Sequence, residues 1–215
     1  MRLTLSLLAN PISYRSDAPM TERFTQIAYE SLAPEVRPLA DDILRVSSAG
    51  LGGPYNALLR SPEMARRAFD FLDYLRFKTS VNLRLNELAI LIQARIANAQ
   101  FEWWAHERIA RKAGLSDALM RELQQCQRPQ SMQADERLVY DYCVQLSLNH
   151  RVPDDLWQEA VAQMGEQAVV DLTVLSGTYV MVSMLLNATQ VGIPDGNAEP
   201  LQVLSPLEIR QRLLA

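Results

Sequence analysis

Only two histidines occur in the 215 residues, and one of them, His106, stands four positions after Glu102 in "QFEWWAHERIARK". A carboxylate and an imidazole four apart on a helix share a face, and such a carboxylate can orient the ring and favour its protonated form. At about 100° per residue, His106, Ile109 and Ala113 fall within about 40° of Glu102, while Glu107, Arg108, Arg111 and Lys112 crowd the other side. The pair therefore points inward. Burying both groups costs on the order of several kcal/mol unless they are paired or hydrogen-bonded. Glu87 is the third candidate. It shares a mostly apolar stripe with Leu91, Ala94 and Asn98, on roughly the opposite face from Leu85, Leu88, Ile92 and Ile96. Two antiparallel helices joined near residues 98 to 100 would bring Glu87 towards His106 and surround one imidazole with two carboxylates. Structural readings stand beside the chemical one: a satisfied Glu102–His106 pair, and a salt bridge from Glu87 to an arginine.

Positioning these groups falls to helices. Ser61-Pro62 followed by Ala65, Ala68, Phe69 and Leu72 predicts a helix over 62 to 77. Leu85 to Ile96 marks a second, and residues 100 to 113 a third, ended by Gly114 before Ser116 opens the next. Leu138, Val139, Tyr142, Cys143 and Leu146 make another stripe, followed by a helix at Leu156 to Met164 that Gly165 closes. Residues 22 to 32 and 35 to 46 read as two shorter helices, and "SSAGLGGPYN" is the one Gly-rich loop. No alternating β-branched run is long enough for a sheet, so the expected class is all-α. One helical domain over 20 to 215 is expected, with residues 1 to 19 a loosely attached or disordered extension and Met20 a candidate true start.

Composition narrows the partners. With 48% hydrophobic and 21% charged residues, the chain can bury a real core. Its 21 basic residues are dispersed among 25 acidic ones, so the footprint of nucleic-acid binding is missing. Residues 169 to 188 have the length of a membrane span, but Asp171, Asn187 and several hydroxyls favour a buried core helix. Cys126 and Cys143 lack C-x-x-C spacing and a nearby His cluster, which suggests reduced thiols in a cytoplasmic protein and no structural zinc. Glu87, Glu102 and His106 are few as metal ligands, with no fourth partner in view, so no metal is expected. His150 reads as a helix-ending residue.

The stretch "LNELAILIQARIANAQFEWWAHERIARKAGLS", at the core of residues 83 to 116, resembles the signature region of the carboxymuconolactone decarboxylase family, which includes the alkylhydroperoxidase D (AhpD) branch. In that branch a helical glutamate precedes C-x-x-C-x-x-x-H. Glu87 and His106 match the glutamate and histidine, while the cysteine positions fall on Ala99 and Glu102. "GGPYNALLRSPEMA", "DERLVYDYCVQLSLNHRVPDDLWQEAV" and "LTVLSGTYVMVSMLLNA" extend the similarity over most of residues 45 to 195. The resemblance implies an AhpD-like helical fold, a homo-oligomer and no cofactor. Without the two cysteines, the thiol peroxidase chemistry of the AhpD branch has no nucleophile.

What the resemblance then implies is acid/base chemistry on a small carboxylated or lactone-like substrate, of the lactone-decarboxylating kind. His106 is the expected general acid or base, oriented by Glu102 or Glu87. Trp103 and Trp104 are candidate pocket walls, though such residues, with Phe101, more often belong to a core or a subunit interface. Arg95 is the expected partner of a substrate carboxylate, with Arg84 as the alternative. Tyr55 and Asn56, after Gly52-Gly53-Pro54, are a turn or a pocket lip. The competing function is a catalytically idle binding or scaffold protein. A cavity at the Glu/His cluster favours the enzyme, and close packing with no cavity favours the scaffold.

Overall fold

Leu88, Ala89, Ile90, Leu91, Ile92 and Ala94 are all wholly buried, so the helix that carries them, α4 (Leu83–Ile96), is enclosed on every side. Asn82 caps it by accepting from the Leu85 amide at 3.0 Å. The computed structural model describes residues 22–194 and 198–215. In it α4 packs on α5 (Gln100–Lys112), α7 (Ala134–Asn149) and α9 (Glu166–Thr189). Around this centre lie α1 (Arg37–Val46), α2 (Pro54–Leu58), α3 (Pro62–Phe77), α6 (Asp117–Gln124), α8 (Asp154–Met164) and α10 (Pro206–Leu213). The described residues form ten α-helices and no strand, an all-α fold.

The main core gathers Leu88, Ile92, Trp103, Tyr140, Leu172 and Leu175. A smaller cluster joins α1 to α3 through Leu39, Ile43, Tyr55, Leu58 and Phe69. Leu72, Phe101, Val182, Leu186 and Val191 form a third, drawing α3, α5 and α9 together. The turn that sets the α4–α5 pair is Ala97 to Ala99. Asn98 takes the left-handed conformation there (φ 51°), which asparagine tolerates better than most residues. The Ala99 amide closes back on Ala94 O at 2.9 Å, so α5 folds along α4.

The boundaries of α3 are those the Ser-Pro pair predicts, although the Ser61 side chain makes no capping bond. Gly114 (φ 100°) ends the turn after α5, and Ser116 caps α6 by accepting from Leu119 N at 3.1 Å. His150 is the left-handed C-cap of α7. Three expectations change. Residues 22 to 32 are not a helix but an irregular segment with one 3-10 turn, Tyr29–Ser31. Their backbone bonds go elsewhere, from Arg23 N to Thr189 O at 3.0 Å and from Ile27 N to Asn56 Oδ1 at 3.1 Å. The Gly-rich loop runs directly into α2, with Pro54 at its first position. Helix α10, opened by a Ser205/Glu208 capping box, was not anticipated. The expectation for residues 1 to 19 lies outside the described residues.

Helix α9 is long and apolar enough to cross a membrane by length and composition, and half of its most apolar window is buried in the protein. Its Asp171 accepts from Ser80 N at 3.0 Å and Ser80 Oγ at 2.9 Å. Its exposed face carries Val170, Val174, Met181 and Met184 at helical spacing.

Candidate active site

The two faces predicted to meet do so. From α4, Glu87 Oε2 accepts a hydrogen bond from His106 Nδ1 at 2.7 Å. On α5 itself, Glu102 Oε1 lies 3.1 Å from His106 Nε2 as an ion pair one turn away. All three side chains are buried. Glu102 also sits in the first turn of α5, where the helix dipole favours negative charge. Burial alone would lower the imidazole pKa, but Glu87 and then Glu102 outweigh it and raise it to about 9. At neutral pH His106 is therefore an imidazolium with both N–H groups directed at carboxylates. The glutamates address different nitrogens of the ring instead of converging on one point, which suits proton holding better than shared coordination of a metal.

A cavity of about 60 Å³ opens beside the ring, several times the roughly 10–15 Å³ that one water needs. Glu102 and His106 line it, and Glu87 stands behind them. The other polar walls are Ser48 from the loop before α2, Tyr55 from α2, Arg76 from α3 and Tyr179 from α9, with Leu72, Phe101 and Val182 closing the apolar side. Tyr179 meets the imidazole edge-on at 5.3 Å between centroids. Burial raises the pKa of both phenols, so they are neutral hydroxyls, while the nearby Arg76 guanidinium pulls the other way. Burial disfavours the Arg76 charge, yet Tyr179, Tyr55, Glu87 and Glu102 more than offset it.

Gly53, which precedes α2, shapes the mouth. Its φ is 60°, and a Cβ there would lie 2.6 Å from the Phe101 ring, so only glycine lets Phe101 seat against this turn.

Of the expected pocket residues, Tyr55 is on the cavity wall. Asn56 is not, because its Oδ1 accepts from Ile27 N at 3.1 Å and Arg60 Nη1 at 3.0 Å, pinning the N-terminal segment. Trp103 is fully buried in the main core. Trp104 packs tilted against Phe101 at 5.6 Å and lies under the Arg108 guanidinium at 4.3 Å, and it is not part of the cavity lining. Arg95 is also elsewhere. Its guanidinium donates to Gln124 O at 3.1 Å and Gln202 O at 2.9 Å and to Asn98 Oδ1, tying down the C-terminal segment. Arg84 pairs with Asp135 and Glu136 of α7. The cation that reaches the site is Arg76, which continues the buried stripe Ala65, Phe69, Leu72 by one turn. That charged residue on an apolar stripe was the available signal for it.

Cys126 and Cys143 are both buried and neither lines the cavity. Burial pushes the Cys143 thiol up to about 12 and raises that of Cys126. Comparison with known proteins adds no relative, for the chain matches no protein family, no curated protein and no solved structure.

Proposed function

We propose that this protein is a cofactor-free, non-redox acid/base enzyme acting on a small carboxylated or lactone-like molecule, with Glu102 and His106 as the proton-carrying pair. The observation that carries the reading is the cavity, since a purely structural pair needs no space beside it. Both ring nitrogens of His106 are engaged, so the group that meets a ligand is Glu102. The imidazolium is the proton store and Glu102 the link to the substrate, while Glu87 orients the ring.

For a decarboxylation of the kind the resemblance implies, the bond from carbon to carboxylate breaks and its electron pair passes into the adjacent unsaturated system. Carbon dioxide leaves, and one proton passes from Nε2 through Glu102 to carbon. Solvent then restores the proton on His106. The resemblance to the carboxymuconolactone decarboxylase family supplies the reaction class. Thiol peroxidase chemistry is the weaker reading, because both thiols are buried, held protonated and away from the cavity.

The idle binding protein is favoured by one observation, the satisfaction of both His106 nitrogens. Incubation with a panel of small carboxylic acids and lactones in deuterated water, followed by proton NMR, separates the two. A panel member should lose carbon dioxide or exchange a carbon-bound proton, and E102Q and H106Q should each slow this about 10²–10⁴-fold. Turnover that both variants retain, or no turnover of any member, would leave only the binding reading.

The proposal includes the implied homo-oligomer, with the exposed α9 face as the surface a second copy covers. A monomeric mass by light scattering would remove that part. Reduced, buried cysteines fit the expected cytoplasmic setting.

A further inference from the structure

We propose that Arg76, Tyr179 and Tyr55 form a receptor for a carboxylate that the substrate keeps throughout the reaction. The inference rests on the acid/base reading of the same cavity and names the class of molecule it takes. Three helices, the neighbouring α2 and α3 and the distant α9, each place one polar group on its wall.

Two of those groups are left with unused hydrogen-bonding capacity. Arg76 Nε is buried and makes no hydrogen bond. The Tyr179 ring is buried, and its hydroxyl, which keeps some accessible surface, makes no hydrogen bond among the described residues. A buried donor is normally satisfied, so the unmatched Arg76 Nε, on the same cavity wall as the unbonded Tyr179 hydroxyl, marks where an acceptor belongs. A guanidinium and a phenol hydroxyl both donate to carboxylate oxygens, and the planar fork of arginine matches the two oxygens of that group. Tyr55, next to the guanidinium, adds a second hydroxyl.

Charge decides how such a ligand sits. Glu87 and Glu102 on one side, and the imidazolium and guanidinium on the other, cancel in formal charge. Asp73 adds a further negative field at Tyr55. An incoming carboxylate leaves the cavity negative unless a proton accompanies it. A guanidinium holding a carboxylate also opposes its loss, because decarboxylation removes the charge it stabilises. The reacting group is therefore at the other end of the molecule, and the carboxylate on Arg76 remains in the product.

Propionate and propionamide test the receptor, since they share size and shape and differ in charge. In NMR titrations of the full chain, propionate should bind and propionamide should be weaker by about tenfold or more. R76Q should lose about tenfold or more in propionate affinity and Y179F about threefold. E102Q should bind propionate at least as well as the wild type, one negative charge being gone. R76K, which keeps the charge without the fork, should recover part of the affinity and guards against a misfolded R76Q. Equal binding of the two probes, no saturable propionate binding by the wild type, or an unchanged affinity in R76Q would overturn the receptor. If propionate depends on Arg76 while E102Q and H106Q keep full turnover, the receptor stands and the acid/base reading falls. If propionate ignores Arg76 while those variants lose turnover, the receptor falls and the reading stands.

Discussion

Folding stability should decline as pH rises from about 6.5 to about 9, and His106 should be the cause. A histidine released by unfolding titrates near 6.5, whereas in the folded chain its two carboxylate partners raise the value to about 9. The folded state holds the proton more tightly, so this contribution is fully present below about pH 6.5 and is lost once pH has passed about 9. At about 1.4 kcal/mol per pKa unit, the gap is worth about 3 kcal/mol, a sizeable part of the stability of an ordinary domain. Urea midpoints from about pH 6 to about pH 9.5 measure it directly.

Two backgrounds keep the comparison clean. H106Q alone leaves the Glu87 and Glu102 carboxylates buried without their shared partner, so E87Q/E102Q/H106Q is measured beside it. Cys143, pushed up to about 12, begins to contribute above the ordinary thiol value of about 8.5, and C143S removes that overlap. The stability difference between wild type and E87Q/E102Q/H106Q should shrink by about 3 kcal/mol across the window. A difference that stays constant with pH would refute the reasoning, because no extra proton would then be held at His106.

Gly53→Ala should destabilise by about 2–4 kcal/mol and abolish propionate binding, since its Cβ would collide with the Phe101 ring at a positive φ; denaturant midpoints and the same titration check both. Arg95→Gln should cost about 3 kcal/mol and speed amide exchange at Leu201 and Leu204, yet leave propionate affinity unchanged; lost affinity with unaltered exchange would return Arg95 to the site. C126S/C143S should keep whatever turnover the wild type shows, and a peroxide-consuming activity that vanishes in this variant would restore a thiol mechanism.

The three groups at the centre were legible because helical periodicity decides which residues share a face. Glu102 and His106 are one turn apart, and a short connection can only fold α5 back along α4, so Glu87 had to approach. The same rule misplaced the cation. Arg95 is about 80° from Glu87 around α4 but eight residues along it, about 12 Å, so it serves the other end of the helix. On a helix buried all round, an angle does not say which neighbour a side chain meets. Tyr179 was hidden for that reason, since α9 is apolar on nearly every face. Arg76 breaks a clean apolar stripe and could have been found, but its partners come from α2 and α9, which local spacing cannot place. Residues 22 to 32 carry apolar residues at helical intervals, yet long-range bonds to Asn56 and Thr189 claim their backbone.

The pH dependence of turnover on a panel substrate tests the central claim most directly. If the imidazolium of His106 is the proton store behind Glu102, the rate should hold near neutrality and fall as pH rises through about 9, where the ring loses its proton. E102Q should be slower by about 10²–10⁴-fold at neutral pH. A rate that climbs through the same pH range would make His106 a base instead of an acid. A rate in E102Q equal to that of the wild type would contradict the account, leaving the pair as structure and the cavity as a binding site alone.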